Sequence, residues 1–327
     1  MDLLLSTPAV VQGLRKVETR IRRLSASSTL PGINEGAARI VSAGGKRLRP
    51  ALSLATALAL GGSIDRRTVT AAACVELIHA GSLVHDDLMD RATERRGAKT
   101  LNADLGDGKA LVIGDFMLAR AGLAAITSVS RPVAEVLAAT VVELTEGQYL
   151  ETAEQFNLAR TEESALRSVT GKTAALFRAG CLVAAVCAHA GPEERARMSA
   201  YGERFGLIFQ ILDDLLDLAA PAELLGKPAG NDLRQGVYSV PFLRALAGDP
   251  ELGPLLAEDV DAVLSRLRRG PMVADTLEYC RALAADAQGV LPVIADREIA
   301  AALHALPTAY IDRVAEMTRH AALTYPS

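Results

Sequence analysis

Residues 173–190 read TAALFRAGCLVAAVCAHA. Alanine, leucine and cysteine dominate, no proline interrupts, and the apolar side chains run nearly all round a helical projection rather than along one stripe. A helix with no broad polar face cannot lie on a protein's surface. The stretch therefore belongs in the middle of a large helical bundle, and its neighbours must be helices that cover it on every side.

The rest of the chain agrees. Apolar residues recur at three and four, and no segment alternates long enough to argue a sheet. Helices are expected over residues 10–25, 33–42, 50–60, 67–90, 109–128, 132–155, 162–172, 173–190 and 192–218, with four more after Val237. The breaks fall at Gly44-Gly45, Gly61-Gly62, Gly191-Pro192 and the loop 220–236. With no linker, low-complexity tract or repeat, the expectation is an all-α fold, one helical domain over residues 1–327.

Composition narrows the class. The chain has 327 residues, half of them hydrophobic, and a formal net charge of −4, which gives no general attraction to nucleic acid or to an anionic membrane. Cys74, Cys181, Cys187 and Cys280 form no C-x-x-C pair and sit among apolar residues, as reduced thiols of a cytoplasmic protein do. No signal peptide is read at the N-terminus. The longest apolar run, near residues 179–188, is shorter than the ~20 residues of a membrane span, so no transmembrane segment is expected.

Against this background the stretch 81–97, GSLVHDDLMDRATERRG, stands out. Asp86 and Asp90 are one turn apart on a helix with Asp87 about 100° round, and like charges so placed repel unless a cation faces them. The same D-D-x-x-D spacing recurs at Asp213, Asp214 and Asp217 in FGLIFQILDDLLDLAA. Nineteen aspartates scattered at random would give only ~0.06 such matches, so two are not coincidence. Glu76 and His79 extend the first copy upstream along one stripe, and Gln210 extends the second. Two polar stripes on otherwise apolar helices should face each other across a cavity.

Six carboxylates there suit Mg²⁺, which takes a few carboxylate oxygens and completes its shell with water and phosphate. Neither copy has the glycine turn and glutamate of an EF-hand. The cations for a phosphorylated ligand are also present: Lys46 and Arg49 in GGKRLRP, Arg95 and Arg96 after the first motif, Lys172 in GKT and Lys227 in GKPAG. Three of only six lysines occupy these places.

In order and spacing, GGKRLRP, ELIHAGSLVHDDLMD, RRG, GDFMLARA, EGQ, GKTAALF, FGLIFQILDDLLD and GKPAGNDLRQG resemble the trans-isoprenyl diphosphate synthases, or polyprenyl synthetases. The resemblance implies a helical bundle around a deep apolar cavity, a homodimer, and about three Mg²⁺ ions bound with substrate. It implies that Asp86, Asp87, Asp90, Asp213, Asp214 and Asp217 bind metal. Lys46, Arg49, His79 and Arg96 would hold isopentenyl diphosphate. Arg95, Lys172 and Lys227 would grip the allylic diphosphate, with Thr173 and Gln210 beside the forming carbocation. The implied reaction joins the two substrates into an all-trans polyprenyl diphosphate.

One departure is visible: Val237 stands where the family commonly has a diphosphate-binding lysine, with Arg234 as a possible substitute, and the chain runs past Asp312-Arg313 without the basic ending often seen. Product length would be read one turn above Asp86, where Gly81 and Ser82 are small, or on the next helix at Phe116 and Met117. Small residues there imply a medium to long product. The alternatives are a short-chain farnesyl or geranylgeranyl diphosphate synthase, a terpene cyclase and a regulatory subunit of a two-component synthase. The full second aspartate motif and GGKRLRP argue against a cyclase, and the retained aspartates argue against a regulatory subunit.

Overall fold

The computed structural model describes residues 2–220 and 229–324. Its helices are α1 (Asp2–Ser6), α2 (Pro8–Ser25), α3 (Pro31–Ser42), α4 (Leu48–Ala59), α5 (Arg66–Met89), α6 (Leu101–Leu105), α7 (Asp107–Ser128), α8 (Arg131–Ala153) and α9 (Glu162–Val169). There follow α10 (Ala175–Cys187), α11 (Pro192–Ala219), α12 (Asn231–Arg234), α13 (Val240–Gly248), α14 (Leu252–Glu258), α15 (Val260–Arg269), α16 (Met272–Gly289) and α17 (Arg297–Thr324). Prolines in the first turn start α2, α3, α8 and α11, where the missing N–H is no loss. Asp65 caps α5 by accepting from the Thr68 amide at 2.8 Å.

Helix α10 occupies the place its sequence demands. Phe177 and Cys181 belong to a core cluster built with α11, α16 and α17. Leu176 and Val183 belong to a second cluster built with α2, α5 and α7. The helix has a different core on each side, which is why it needs no polar face.

Three expectations change. Residues 162–190 do not break between Lys172 and Thr173: α9 runs into α10 through a π-helical turn, Thr170–Ala174. After Val237 the described residues form five helices rather than four, because Asp259 ends α14 and caps α15, accepting from Asp261 N at 2.8 Å and Ala262 N at 3.1 Å. A two-stranded hairpin, β1 (Glu94–Arg95) and β2 (Ala98–Lys99), forms where no strand was expected. Its turn residues Arg96 and Gly97 have φ of 54° and 74°, the left-handed pair that a tight hairpin requires.

Three helical segments, Arg66–Met89, Asp107–Ser128 and Glu162–Cys187, are long and apolar enough to cross a membrane, contrary to the reading of the longest run. The first and third are mostly buried inside the bundle, so their apolarity is that of core helices. Helix α7 differs, since Leu111, Val112, Leu123 and Ile126 are each about half exposed along one face.

Candidate active site

The first aspartate cluster ends α5. Asp86 is half-buried, and Asp90 is exposed at the helix end. Asp87 points inward, only 2% exposed, and accepts from Arg95 Nε at 2.7 Å. That bond ties β1 to the end of α5. The second cluster lies near the end of α11. Asp213 is exposed, whereas Asp214 and Asp217 are buried. Asp214 accepts from Gln210 Nε2 at 2.8 Å, and the Gln210 amide oxygen accepts from Thr173 Oγ1 at 2.8 Å. Asp217 accepts from the Asp232 amide at 3.1 Å through its side chain and from the Gly230 amide at 2.8 Å through its carbonyl, fixing the chain as it re-enters at α12. Each D-D-x-x-D thus divides between aspartates that reach the open side (Asp86, Asp90, Asp213) and aspartates held by the protein (Asp87, Asp214, Asp217).

One ion pair stands between the two clusters. Lys172, on the π turn, bonds Glu151 of α8 at 2.6 Å. Burial raises the pKa of both Asp86 and Asp90; Lys172 opposes the rise, while Glu151 adds to it in each, as Asp90 does for Asp86. Burial also holds Asp214 well above the usual carboxylate range, helped by Asp232, Asp213 and the same Glu151. Burial pulls Lys172 down, but Glu151, Asp86 and Asp90 more than offset it and its pKa ends raised. One carboxylate, Glu151, is felt on both motif helices, and its lysine on the first, so the two stripes approach one region.

The π turn sets this geometry. Gly147 of α8 and Gly171 lie backbone to backbone. A Cβ on Gly147 would sit 2.8 Å from Gly171 C and from Ser168 O, and one on Gly171 2.6 Å from Glu143 O. That close approach brings Lys172 within reach of Glu151, one turn along α8.

A second group of cations gathers about two turns up α5 from Asp86, around His79. Arg49 stacks over Phe177 at 4.4 Å and lies 5.9 Å from the Phe209 ring. Burial lowers its pKa to about 10, against the pull of Glu76 and Asp213, so it stays charged at neutral pH. His79 lies well below its ordinary value through burial and the fields of Arg49, Arg96, Arg95 and Arg47. A neutral imidazole in the field of four guanidinium groups, two of which (Arg47 and Arg95) are already paired with carboxylates, leaves Arg49 and Arg96 to face an anion. Arg96 donates to the Gly44 carbonyl, tying the hairpin to GGKRLRP, and Lys46 is exposed beside it.

Several sequence expectations are placed differently. Glu76 does not open onto the cavity, because Arg47 takes it at 2.8 Å while also bonding Glu18 and the Val41 carbonyl. Arg234 does not stand in for a lysine at Val237, since its guanidinium is committed to Asp261. Gly81 packs on α7, where a Cβ would lie 3.2 Å from the Gly114 carbonyl. Ser82 is 9% exposed and donates to the His79 carbonyl at 2.9 Å. Met117 is fully buried with Phe116 packed near it. Lys227 lies outside the described residues. Glu151, Arg47 and Asp232 escaped the sequence reading; Glu151 lies one turn beyond Gly147 of EGQ, but only the fold reveals its lysine. Tyr310 of α17 stacks on Phe209 at 5.3 Å, and Asp213 is among the groups raising its pKa after burial, so the C-terminal helix reaches the second motif.

Comparison with known proteins agrees with this architecture. Residues 31–263 match the family described as Polyprenyl synthetase. The chain is 36% identical to octaprenyl diphosphate synthase of Escherichia coli (strain K12) over 252 residues, 77% of each chain. It is 34% identical to geranylgeranyl diphosphate synthase of Methanosarcina mazei over 255 residues, 75% of this chain and 77% of that one. Among solved structures, a decaprenyl diphosphate synthase from Rhodobacter capsulatus superposes with a TM-score of 0.87 at 30% identity, covering 96% of this chain and 99% of the other. By sequence across most of its length and by fold across nearly all of it, the chain belongs to the polyprenyl synthetase family.

Proposed function

We propose that the chain joins isopentenyl diphosphate to an allylic diphosphate and repeats the addition to give an all-trans polyprenyl diphosphate of medium to long chain. The observation that carries this reading is the convergence of two aspartate clusters on the Lys172–Glu151 pair, next to a separate pocket of arginines around a neutral His79. Two anion sites of different construction suit two diphosphates with different fates.

Asp86, Asp90 and Asp213 are the residues that would hold Mg²⁺. Their open side fits it, because that ion needs only one or two carboxylates when water and phosphate complete its shell. Bound there, Mg²⁺ offsets the charge that develops on the departing diphosphate.

The chain's own groups do the rest. Lys172, oriented by Glu151, faces the leaving diphosphate as the allylic C–O bond breaks. Lys46, Arg49 and Arg96 fix the diphosphate of the isopentenyl partner. His79, kept neutral, donates a hydrogen bond there without adding to the repulsion among the cations. The Thr173–Gln210 pair, bonded to each other at 2.8 Å, would supply oxygen atoms beside the carbocation. The alkene then forms the new C–C bond, and loss of a proton restores a double bond; the released diphosphate is the base at hand. Apolar walls from α5, α10 and α11 exclude the water that would otherwise quench the cation.

Supplying the protein with Mg²⁺, labelled isopentenyl diphosphate and allylic starters of several lengths tests the reading. A ladder ending near eight to ten isoprene units, by analogy with relatives of those product lengths, is expected; cyclised hydrocarbon or no turnover would refute it.

Depth control is assigned to Ser82, since Gly81 is spent on packing against α7. Ser82→Phe should shorten the product by several isoprene units at similar initial rates, read by chromatography of the dephosphorylated alcohols. An unaltered distribution would place the floor elsewhere.

A homodimer through α7 and α8 belongs to the same proposal. Leu111, Val112, Leu123 and Ile126 of α7, with Val142 and Tyr149 of α8, leave an apolar surface that a second copy would cover. Leu123→Glu with Ile126→Glu should convert a dimer to a monomer in light scattering, and a wild-type chain that is itself monomeric would dispose of the idea.

A further inference from the structure

Far from the aspartates, α2 and the first turns of α5 bound an open groove of about 1000 Å³. Its cations are Arg15, Lys16, Arg20, Arg23 and Arg66. The carboxylate among its lining residues is Asp65, and that side chain is occupied in capping α5. Arg20 reaches Ser128 of α7 at 3.3 Å, and its Nε is buried without a hydrogen-bond partner. Burial, and then the like charges of Arg66, Arg120 and Arg23 against the field of Cys74, hold Arg20 below the ordinary arginine range. The cations are therefore crowded together. Elsewhere on this surface arginines are answered by acids, as in Arg39–Asp104, Arg244–Glu162 and Arg266–Asp249. In a chain of net charge −4, such a concentration of cations marks a site for an external polyanion.

We infer that this face docks on an anionic phospholipid bilayer, with Arg15, Lys16, Arg23 and Arg66 taking headgroup phosphates. Basic clusters of four to eight residues on an amphipathic helix bind such surfaces at close approach, within about a Debye length. The groove is wide and open, which suits an extended sheet of headgroups better than one small ligand. It also has no aromatic side chain on which a nucleic-acid base could stack.

Position gives the surface a use. Arg66 starts α5 and Asp86 lies near its end, so the groove and the acidic mouth are separated by about 30 Å along one helix axis. Resting on the prenyl-transfer reading, the growing hydrocarbon runs from the mouth down α5 toward the groove end. A bilayer held at that end receives the apolar tail without its crossing water. The chain's low overall charge conceals this, because the surplus is local.

The test uses metal-free full-length protein and sedimentation with vesicles, so its outcome does not depend on turnover; activity on short soluble starters is measured separately. The wild type should partition onto phosphatidylglycerol/phosphatidylcholine vesicles, not onto pure phosphatidylcholine, and be released by high salt. Arg15→Gln/Lys16→Gln/Arg23→Gln should weaken partition about a hundredfold. Arg269→Gln/Arg281→Gln/Arg297→Gln, equal in charge and exposed on α15, α16 and α17, should leave it unchanged. The proposal is overturned if the wild type ignores anionic vesicles or if the two triple variants weaken alike. Displacement of the protein from vesicles by submillimolar inorganic pyrophosphate, or tighter groove-dependent binding to a DNA duplex, would equally overturn it by identifying another occupant.

Discussion

Asp86→Ala should lower turnover on the order of 10³-fold, the scale on which removal of a group facing developing charge is felt, while the metal-free protein melts no lower than its parent. The two halves of this result have one cause. Burial, Asp90 and Glu151 make the Asp86 carboxylate more costly in the folded chain than in water, with Lys172 only partly compensating, so its pKa is raised. A carboxylate whose pKa is higher folded than unfolded subtracts stability above that folded pKa, so at pH 7 its removal does not weaken the fold. The charge is kept for what binds in front of it. Burial raises the pKa of the Asp87 carboxylate as well, with Arg95 opposing the rise, but Asp87→Ala also breaks a buried pair and removes the acceptor that holds Arg95 and the hairpin to the end of α5. Its melting temperature should fall, with loss of turnover following from a displaced Arg96. Steady-state rates with labelled isopentenyl diphosphate and thermal melts without metal separate the cases. Asp86→Ala retaining more than about a tenth of the parent rate would remove Asp86 from the site.

The contrast between adjacent aspartates marks how far the sequence could be read. Helix content, the central place of 173–190 and the placing of one acidic motif on each of two helices were legible, because each depends on local periodicity or on a rare repeated spacing. Which aspartate of each set turns outward was not. Asp87 is about 100° from Asp86, and only the hairpin, set by the left-handed Arg96-Gly97 turn, supplies the arginine that makes its inward side habitable. GGKRLRP likewise shows its cations but not their division of labour. Arg47 has its backbone at φ 48° and turns to Glu76, while Arg49, two residues on, stacks on Phe177. Glu151 was invisible for the same reason: its lysine is 21 residues away and reaches it through a contact between two glycines.

That contact yields the second large effect. In the middle of an ordinary helix Gly→Ala adds stability, up to about 1 kcal/mol. Gly147→Ala should do the reverse. The new methyl would meet Gly171 C and Ser168 O at 2.8 Å, and these are backbone atoms of the π turn and the helix before it, which cannot rotate out of the way as a side chain can. Forcing two backbones apart costs about 1–3 kcal/mol or more, which outweighs the gain in helix propensity. The melting temperature should fall by several degrees. The segment that must yield carries Lys172, so the KM for the allylic diphosphate should rise with it, whereas that for isopentenyl diphosphate, bound around His79, should change little. Gly122→Ala on α7, with no atom within 4 Å of the added methyl, should melt at or above the parent and keep its KM values. If Gly147→Ala matched Gly122→Ala in both respects, the π turn would have slack that the structure does not show, and Lys172 would not owe its position to these two glycines.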